Sequence, residues 1–208
     1  MPEGTDSRTD DLVEVLSGPV LDVAPRLLGA VVRHGGVAVR LTEVEAYDGA
    51  NDPGSHAYRG PTARTEVMFG PPGRLYVYFT YGMHHCANVV CGPDGTASAV
   101  LLRAGEVVEG LEVARARRGG RHPDRDLARG PARLCSALGL DLADNGLDLT
   151  DGALVLAAPV PSRLVSTGPR VGLRQAPDRP WRFWLTDEPT VSRYVAAKPP
   201  RSRRPMTE

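Results

Sequence analysis

Apolar residues in this chain recur at two different spacings, and the change from one to the other marks out its elements. Val20, Val23, Ala24, Leu27 and Leu28 repeat at three and four positions, as one buried face of a helix does, and the repeat stops at Gly29. Residues 30–33 and 37–41 are valine-rich runs on either side of Gly35-Gly36, so the helix feeds a β-hairpin. Further apolar, β-rich runs lie at 75–79, 87–90, 99–103, 154–158 and 181–185, which predicts a sheet of mostly neighbouring strands. Helices are predicted over 107–117 and after Gly130, where Pro131 suits a first turn and Gly139 a C-terminal cap. The reading is α+β: a single domain with a curved, mostly antiparallel β-sheet core flanked by helices.

Composition narrows the class. The 208 residues, 41% of them hydrophobic, are enough for one compact domain with its own core. Residues 1–10 and 196–208 read as flexible ends around a domain at 11–195. No apolar run approaches the roughly 20 residues that a membrane span needs, and the first residues lack the basic and apolar regions of a signal peptide. The expectation is a cytoplasmic protein. Cys86, Cys91 and Cys135 are odd in number and form no paired C-x-x-C unit, which disfavours both a disulfide framework and a structural zinc site. His84-His85-Cys86 with Cys91 is a weak metal candidate, since adjacent histidines on a strand point to opposite faces.

Net charge is zero, yet its distribution is uneven. Between Leu111 and Cys135 seven arginines (115, 117, 118, 121, 125, 129 and 133) face only Glu112, Asp124 and Asp126. Such a face can grip phosphates while the whole stays neutral, although composition alone allows an ordinary solvated surface equally well.

Candidate chemistry concentrates between Arg40 and Arg103, which holds five of the six tyrosines. Glu45 sits in an apolar strand two residues before Tyr47, and Tyr76, Tyr78 and Tyr81 follow in one short run. Aromatic rings beside a carboxylate are the equipment needed to hold a planar ring and hydrolyse a bond next to it. The Gly/Pro-rich segment 48–73 is too long for a simple connection, and its His56, Arg59, Arg64 and Met68 line a site if it folds back over the end of the Glu45 strand.

The stretches Thr42-Glu43-Val44-Glu45-Ala46-Tyr47-Asp48-Gly49, Ser55-His56-Ala57, 68–83, 100–104, 130–140 and Pro169-Arg170-Val171-Gly172-Leu173 together resemble the 3-methyladenine DNA glycosylase family of the alkyladenine type, over roughly residues 27–185. The resemblance implies a base-excision enzyme that flips an alkylated or deaminated purine out of duplex DNA and hydrolyses its N-glycosidic bond. Glu45 then matches the general base, with Arg103 and the backbone carbonyl of Val171 holding the attacking water. Tyr47 and Tyr78 match the rings that sandwich the base, His56 the pocket histidine, and Asn88 the asparagine that crowds the exocyclic amine of guanine. Tyr81 matches the side chain inserted into the gap in the duplex, with Met68, Met83 and Arg64 as DNA contacts. The same resemblance implies no cofactor or metal, double-stranded DNA containing damaged purines as the partner, a monomer, and a bacterial-type location in the cytoplasm on nucleoid DNA.

The sequence departs from the family pattern at His84, where an aromatic residue is usual, and in the short insertion 91–98. Zero net charge predicts modest nonspecific affinity for DNA. The alternative reading is a non-catalytic lesion- or nucleic-acid-binding protein of the same fold, which has no need of Glu45 and Arg103 together. A carbohydrate hydrolase needs a second carboxylate, and Glu43, on the same strand face as Glu45, is as readily solvated or salt-bridged.

Overall fold

The computed structural model describes residues 7–80 and 82–197. Nine strands in this part of the chain form one open sheet in which every pairing is antiparallel, and four α-helices accompany them. The helices are α1 (Ser7–Leu16), α2 (Val20–Arg26), α3 (Leu111–Arg117) and α4 (Pro131–Leu138). The strands are β1 (Val31–His34), β2 (Val37–Tyr47), β3 (Leu75–Thr80), β4 (His84–Val90), β5 (Ala99–Glu109), β6 (Ala128–Arg129), β7 (Leu154–Val155), β8 (Val165–Gly168) and β9 (Arg182–Leu185). Their order is β3-β4-β5-β2-β1-β7, with β6 on β5 and with β9 joining β2 to β8.

The long central pair, β2 and β5, positions the site. Its ladder is irregular where Glu43 pairs with Ala104, leaving Thr42 and Arg103 without direct partners. Up to that point the odd residues Val37, Val39 and Leu41 of β2 face the main core, and beyond it the even residues Val44 and Ala46 do so. A local ladder defect that switches faces re-aims side chains, and here it turns Glu43, Glu45 and Tyr47 away from the aliphatic core. On the other side of the sheet α2 and α4 close the core with Val20, Val23, Ala24, Leu134, Cys135, Ala137 and Leu138. As the sequence predicts, Pro131 lies in the first turn of α4 and Gly139 caps it in the left-handed region at φ 76°.

Several expectations need correction. Residues 107–109 are not helical: β5 continues through Glu109, pairing with Ala38 and Val39, and α3 starts only after Gly110. Gly110 has φ 73°, which turns the chain out of the strand, and a Cβ there would lie 2.1 Å from the Gly36 carbonyl oxygen, so only glycine fits. The run at 154–158 pairs over only two residues, with Val31 and Val32. Strands β6 and β8 are too short and too polar to announce themselves. Residues 7–10, assigned to a loose terminus, belong to α1. All three cysteines are buried and unpaired. No helix among the described residues is long and apolar enough to cross a membrane.

Candidate active site

A cavity of about 900 Å³ opens beside β2, within the range of about 300–1,000 Å³ usual for small-molecule sites. Glu45 lies in its wall with no exposed surface. Both carboxylate oxygens are held: Oε1 accepts the Val171 amide N–H at 2.7 Å and lies 3.4 Å from Arg103 Nη1, while Oε2 accepts the Tyr47 hydroxyl at 2.9 Å. A buried carboxylate needs such partners, and these also fix its orientation. Val171 therefore meets Glu45 through its amide, whereas the resemblance assigns a role to its carbonyl.

Glu43, the other carboxylate on this face, is a structural group. It is fully buried and accepts hydrogen bonds from Arg103 Nε at 2.9 Å, Arg182 Nε at 2.6 Å, and the backbone and hydroxyl of Ser192 at 2.6 and 3.0 Å. Burial alone raises its pKa, but Arg103 and Arg182 outweigh that and hold it below the usual range. Burial likewise works against the charge on Arg103, yet Glu45 and Glu43 together keep its pKa above the ordinary value. Arg103 thus bridges the two carboxylates, and its position is set by Glu43 and by Ser192, which accepts from Nη2 at 3.2 Å.

The aromatic walls have their own support. Tyr47 lies under the guanidinium of Arg170, whose Cζ is 4.6 Å from the ring centroid. Arg170 is fully buried, pairs in fork geometry with Asp52 at 2.5 and 2.8 Å, donates to the Ala46 carbonyl at 2.9 Å, and stands 5.2 Å over Trp181. Burial, then the charge of Glu45, pushes the Tyr47 phenol well above its normal pKa, so it stays a donor. Across the cavity Tyr76 and Tyr78, two residues apart on β3, stack at 5.5 Å. His56 meets Tyr78 edge-on at 4.7 Å and bonds the Tyr76 hydroxyl through Nδ1 at 3.2 Å. Burial first, and the Arg64 charge second, push His56 down to about 4, so its imidazole is neutral near pH 7.

The long segment 48–73 folds over the site and brings His56 and Met68 to the cavity, with Asp52 behind it on Arg170; Arg59 and Arg64, expected to line it as well, are not among its bordering residues. Met68 is only 2% exposed and borders the cavity, so it can touch only what enters there. The Arg64 guanidinium stands 5.3 Å from the Tyr78 ring centroid and 3.5 Å from both His56 ring nitrogens. Asn88 is buried in the wall with its Nδ2 donating to the Tyr76 carbonyl at 3.1 Å. Met83 is 67% exposed on the β3–β4 turn. Tyr81, the expected inserted residue, lies outside the described residues. Ala196 and Ala197, read as the beginning of a loose tail, also border the cavity, following Val195, whose carbonyl accepts the Gly172 N–H at 2.9 Å. Residues 198–208 of that tail lie outside the described part. No cluster of three or more metal-ligating side chains occurs among the described residues.

Sequence reasoning missed Asp52, Arg170, Arg182 and Ser192. The only advance signal was Arg170 inside the motif at 169–173; the others carry none.

A carboxylate fixed by an arginine and a backbone amide, in a cavity walled by tyrosines, is equipped to activate water beside a planar ring. Comparison with known proteins agrees. The family model for methylpurine-DNA glycosylase (MPG) matches residues 14–189. A relative from Streptomyces avermitilis is 56% identical over 206 residues, covering 94% of this chain and 97% of its own. Relatives from Leifsonia xyli subsp. xyli (59% over 186 residues; 84% and 87% covered) and Mycobacterium tuberculosis (54% over 181; 82% and 87%) are also similar. All three carry the provisional name 3-methyladenine DNA glycosylase. The chain belongs to the methylpurine-DNA glycosylase family. It is accordingly a DNA glycosylase, a hydrolase of N-glycosidic bonds in base excision repair.

Proposed function

We propose that this glycosylase acts on alkylated or deaminated purines, taking the damaged nucleotide out of the duplex into the cavity and hydrolysing its N-glycosidic bond to leave an abasic site. The observation that carries this reading is the placement of Glu45, fully buried and held by Val171, Arg103 and Tyr47, in a cavity walled by Tyr47, Tyr76 and Tyr78. Glu45 orients and deprotonates the attacking water and stabilises the positive charge that grows on the sugar; general-base catalysis of this kind contributes about 10²–10⁴-fold. Arg103 keeps that carboxylate in place.

Selectivity belongs to the walls. An alkylated purine is cationic, and stacking on a tyrosine face is worth about 0.5–2 kcal/mol. A protonated histidine would repel such a base; His56, with its pKa depressed, offers a neutral hydrogen-bonding edge instead. Asn88, tied to the Tyr76 carbonyl, is a rigid obstacle to the exocyclic amine of guanine. Tyr81 fills the gap left in the duplex, and Met83 and Arg64 contact the DNA around it. The enzyme works as a monomer in the cytoplasm.

The test is single-turnover base release from duplexes carrying one hypoxanthine or one ethenoadenine, and from methylated DNA, by the native protein and by Glu45→Gln. Release by the native protein, with the variant binding lesions but releasing nothing, is the expected result. Binding without release by the native protein overturns the catalytic reading in favour of a lesion-binding protein.

A further inference from the structure

A second cavity, of about 540 Å³, lies next to the first and has no part in the chemistry above. It is bordered by Met83, His84 and His85 at the start of β4, by Arg118 just after α3, and by Arg133 and Ser136 on α4. Among the described residues no carboxylate borders it. Helix α4 borders both cavities: Pro131 borders the active site, and Ala132, Arg133 and Ser136 border the second one.

The arginine-rich segment resolves here into groups with different tasks. Arg115 is neutralised by Glu112 and by Asp124, the latter at 2.7 Å. Arg117 donates to the Ala137, Leu138 and Gly35 carbonyls, closing the C-terminal end of α4. Arg129 pairs with Asp126 at 3.3 Å and donates to the Val191 carbonyl. Arg118 and Arg133 both border the cavity, and Arg118 Nε donates to the Leu127 carbonyl at 3.1 Å. Burial, and then the nearby positive charge of Arg133, lowers the pKa of Arg118. Two like charges held together without an anion are unfavourable in the free protein, and a ligand bearing negative charge relieves them.

We propose that this groove, formed by Arg118, Arg133, Ser136 and the His84-His85 pair, binds a backbone phosphate of the duplex next to the flipped nucleotide. The proposal rests on the glycosylase reading, because the ligand is the DNA strand that feeds the active-site cavity. Its place fits that ligand: Met83, on the β3–β4 turn, and His84, at the start of β4, border the groove two and three positions after Tyr81, the residue proposed to enter the duplex. Guanidinium groups suit a phosphodiester because they bond its oxygens in fork geometry, and the serine hydroxyl supplies a further donor. A local site of this kind also explains how a chain of zero net charge holds DNA: it needs no general positive coat.

The experiment measures equilibrium binding to a lesion-containing duplex across a range of salt concentrations. It compares the native protein with Arg133→Gln, Arg118→Gln and, as a control outside the groove, Arg121→Gln. Arg133 is exposed and not a core residue, so its variant remains informative even where loss of the Arg118 bond to the Leu127 carbonyl weakens folding. Both groove variants are expected to bind several-fold more weakly and to lower the slope of log affinity against log salt by about 0.9 for each phosphate that is no longer neutralised. Arg121→Gln is expected to match the native protein. A scan of single neutral methylphosphonates along the duplex locates the bound phosphate: one position weakens the native protein but leaves Arg133→Gln unaffected.

Groove variants with native affinity and slope, in a preparation whose native form binds and releases damaged bases, overturn the phosphate site alone. An equal loss in Arg121→Gln overturns it in favour of diffuse charge. A native protein that neither binds nor cleaves DNA removes the glycosylase reading, and this inference with it.

Discussion

The Tyr47 hydroxyl donates to Oε2 of Glu45 at 2.9 Å, so the aromatic wall and the candidate base form one hydrogen-bonded unit. Tyr47→Phe and Tyr47→Ala therefore separate two functions of one residue. A hydrogen bond to a charged group is worth about 1.5–3 kcal/mol. Removing the hydroxyl frees one carboxylate oxygen and is expected to slow single-turnover base release by roughly 10-fold, at about 1.4 kcal/mol per factor of ten, with lesion affinity nearly unchanged. Removing the ring is expected to lose both rate and affinity. Native release rates in Tyr47→Phe would show that Val171 and Arg103 alone suffice to orient Glu45.

Glu43 organises the neighbouring arginines from a fully buried position. With Glu43→Gln, Arg103 and Arg182 remain buried without their shared counter-charge, which costs about 3–5 kcal/mol when one partner of a buried pair is removed. That is a large part of a typical folding free energy of about 5–15 kcal/mol. A much lower urea midpoint is expected, together with slower base release in the fraction that stays folded, because Arg103 loses its anchor. Parallel denaturation and single-turnover measurements check both; an unchanged midpoint contradicts the central role assigned to this carboxylate.

What the sequence shows and hides follows from the range of each interaction. The strands around Tyr78, Asn88 and Leu101 are legible because alternation and β-branched content are local properties. Glu45, Tyr47, His56 and Arg103 are legible as candidates because the motif quoted for each is contiguous. The supports are hidden. Asp52 and Arg170 are 118 residues apart, and Glu43 and Ser192 are 149 apart. Nothing in the surroundings of Asp52 or Ser192 distinguishes it from an ordinary surface residue, since charged and polar groups are usually exposed. The helix expected from Val107 fails for a related reason: Val107 and Glu109 have strand partners in β2, and cross-strand pairing overrides their compatibility with a helix.

Asp52 and Arg170 give a second test of support from behind. Arg170 is held between Tyr47 and Trp181 and is neutralised by Asp52, whose carboxyl is kept below the ordinary range because the hydrogen bonds and charge of Arg170 outweigh burial. Asp52→Asn keeps the shape but leaves Arg170 without an anion, and a loss of stability of about 3–5 kcal/mol is expected. Tyr47 then loses its fixed backing, so lesion affinity is expected to fall even though no group facing the cavity has changed identity. Calorimetry and binding to a lesion duplex read the two effects. Full affinity in a destabilised Asp52→Asn assigns the pair to folding alone.

Stability near neutral pH tests the environment of His56. The groups facing its ring are the Arg64 guanidinium, the Tyr76 hydroxyl and the Tyr78 ring; burial and the Arg64 charge disfavour a second positive charge and outweigh what the two tyrosines offer it. Its pKa is about 4 in the folded chain against an ordinary value near 6.5. Between these values the unfolded chain binds a proton that the folded chain does not, so unfolding free energy increases with pH and stability is lost as pH falls from about 6.5 toward 4. Glu43 and Asp52 act lower down. Their pKa values are depressed on folding, so their contribution is complete above the ordinary carboxylate range and is lost as pH falls through the folded values. Urea midpoints from pH 7.5 to 3.5 are expected to show two successive declines in the native protein, the upper one absent in His56→Gln and the lower one retained. Identical profiles in the two proteins mean that His56 titrates normally and does not offer the neutral edge assigned to it.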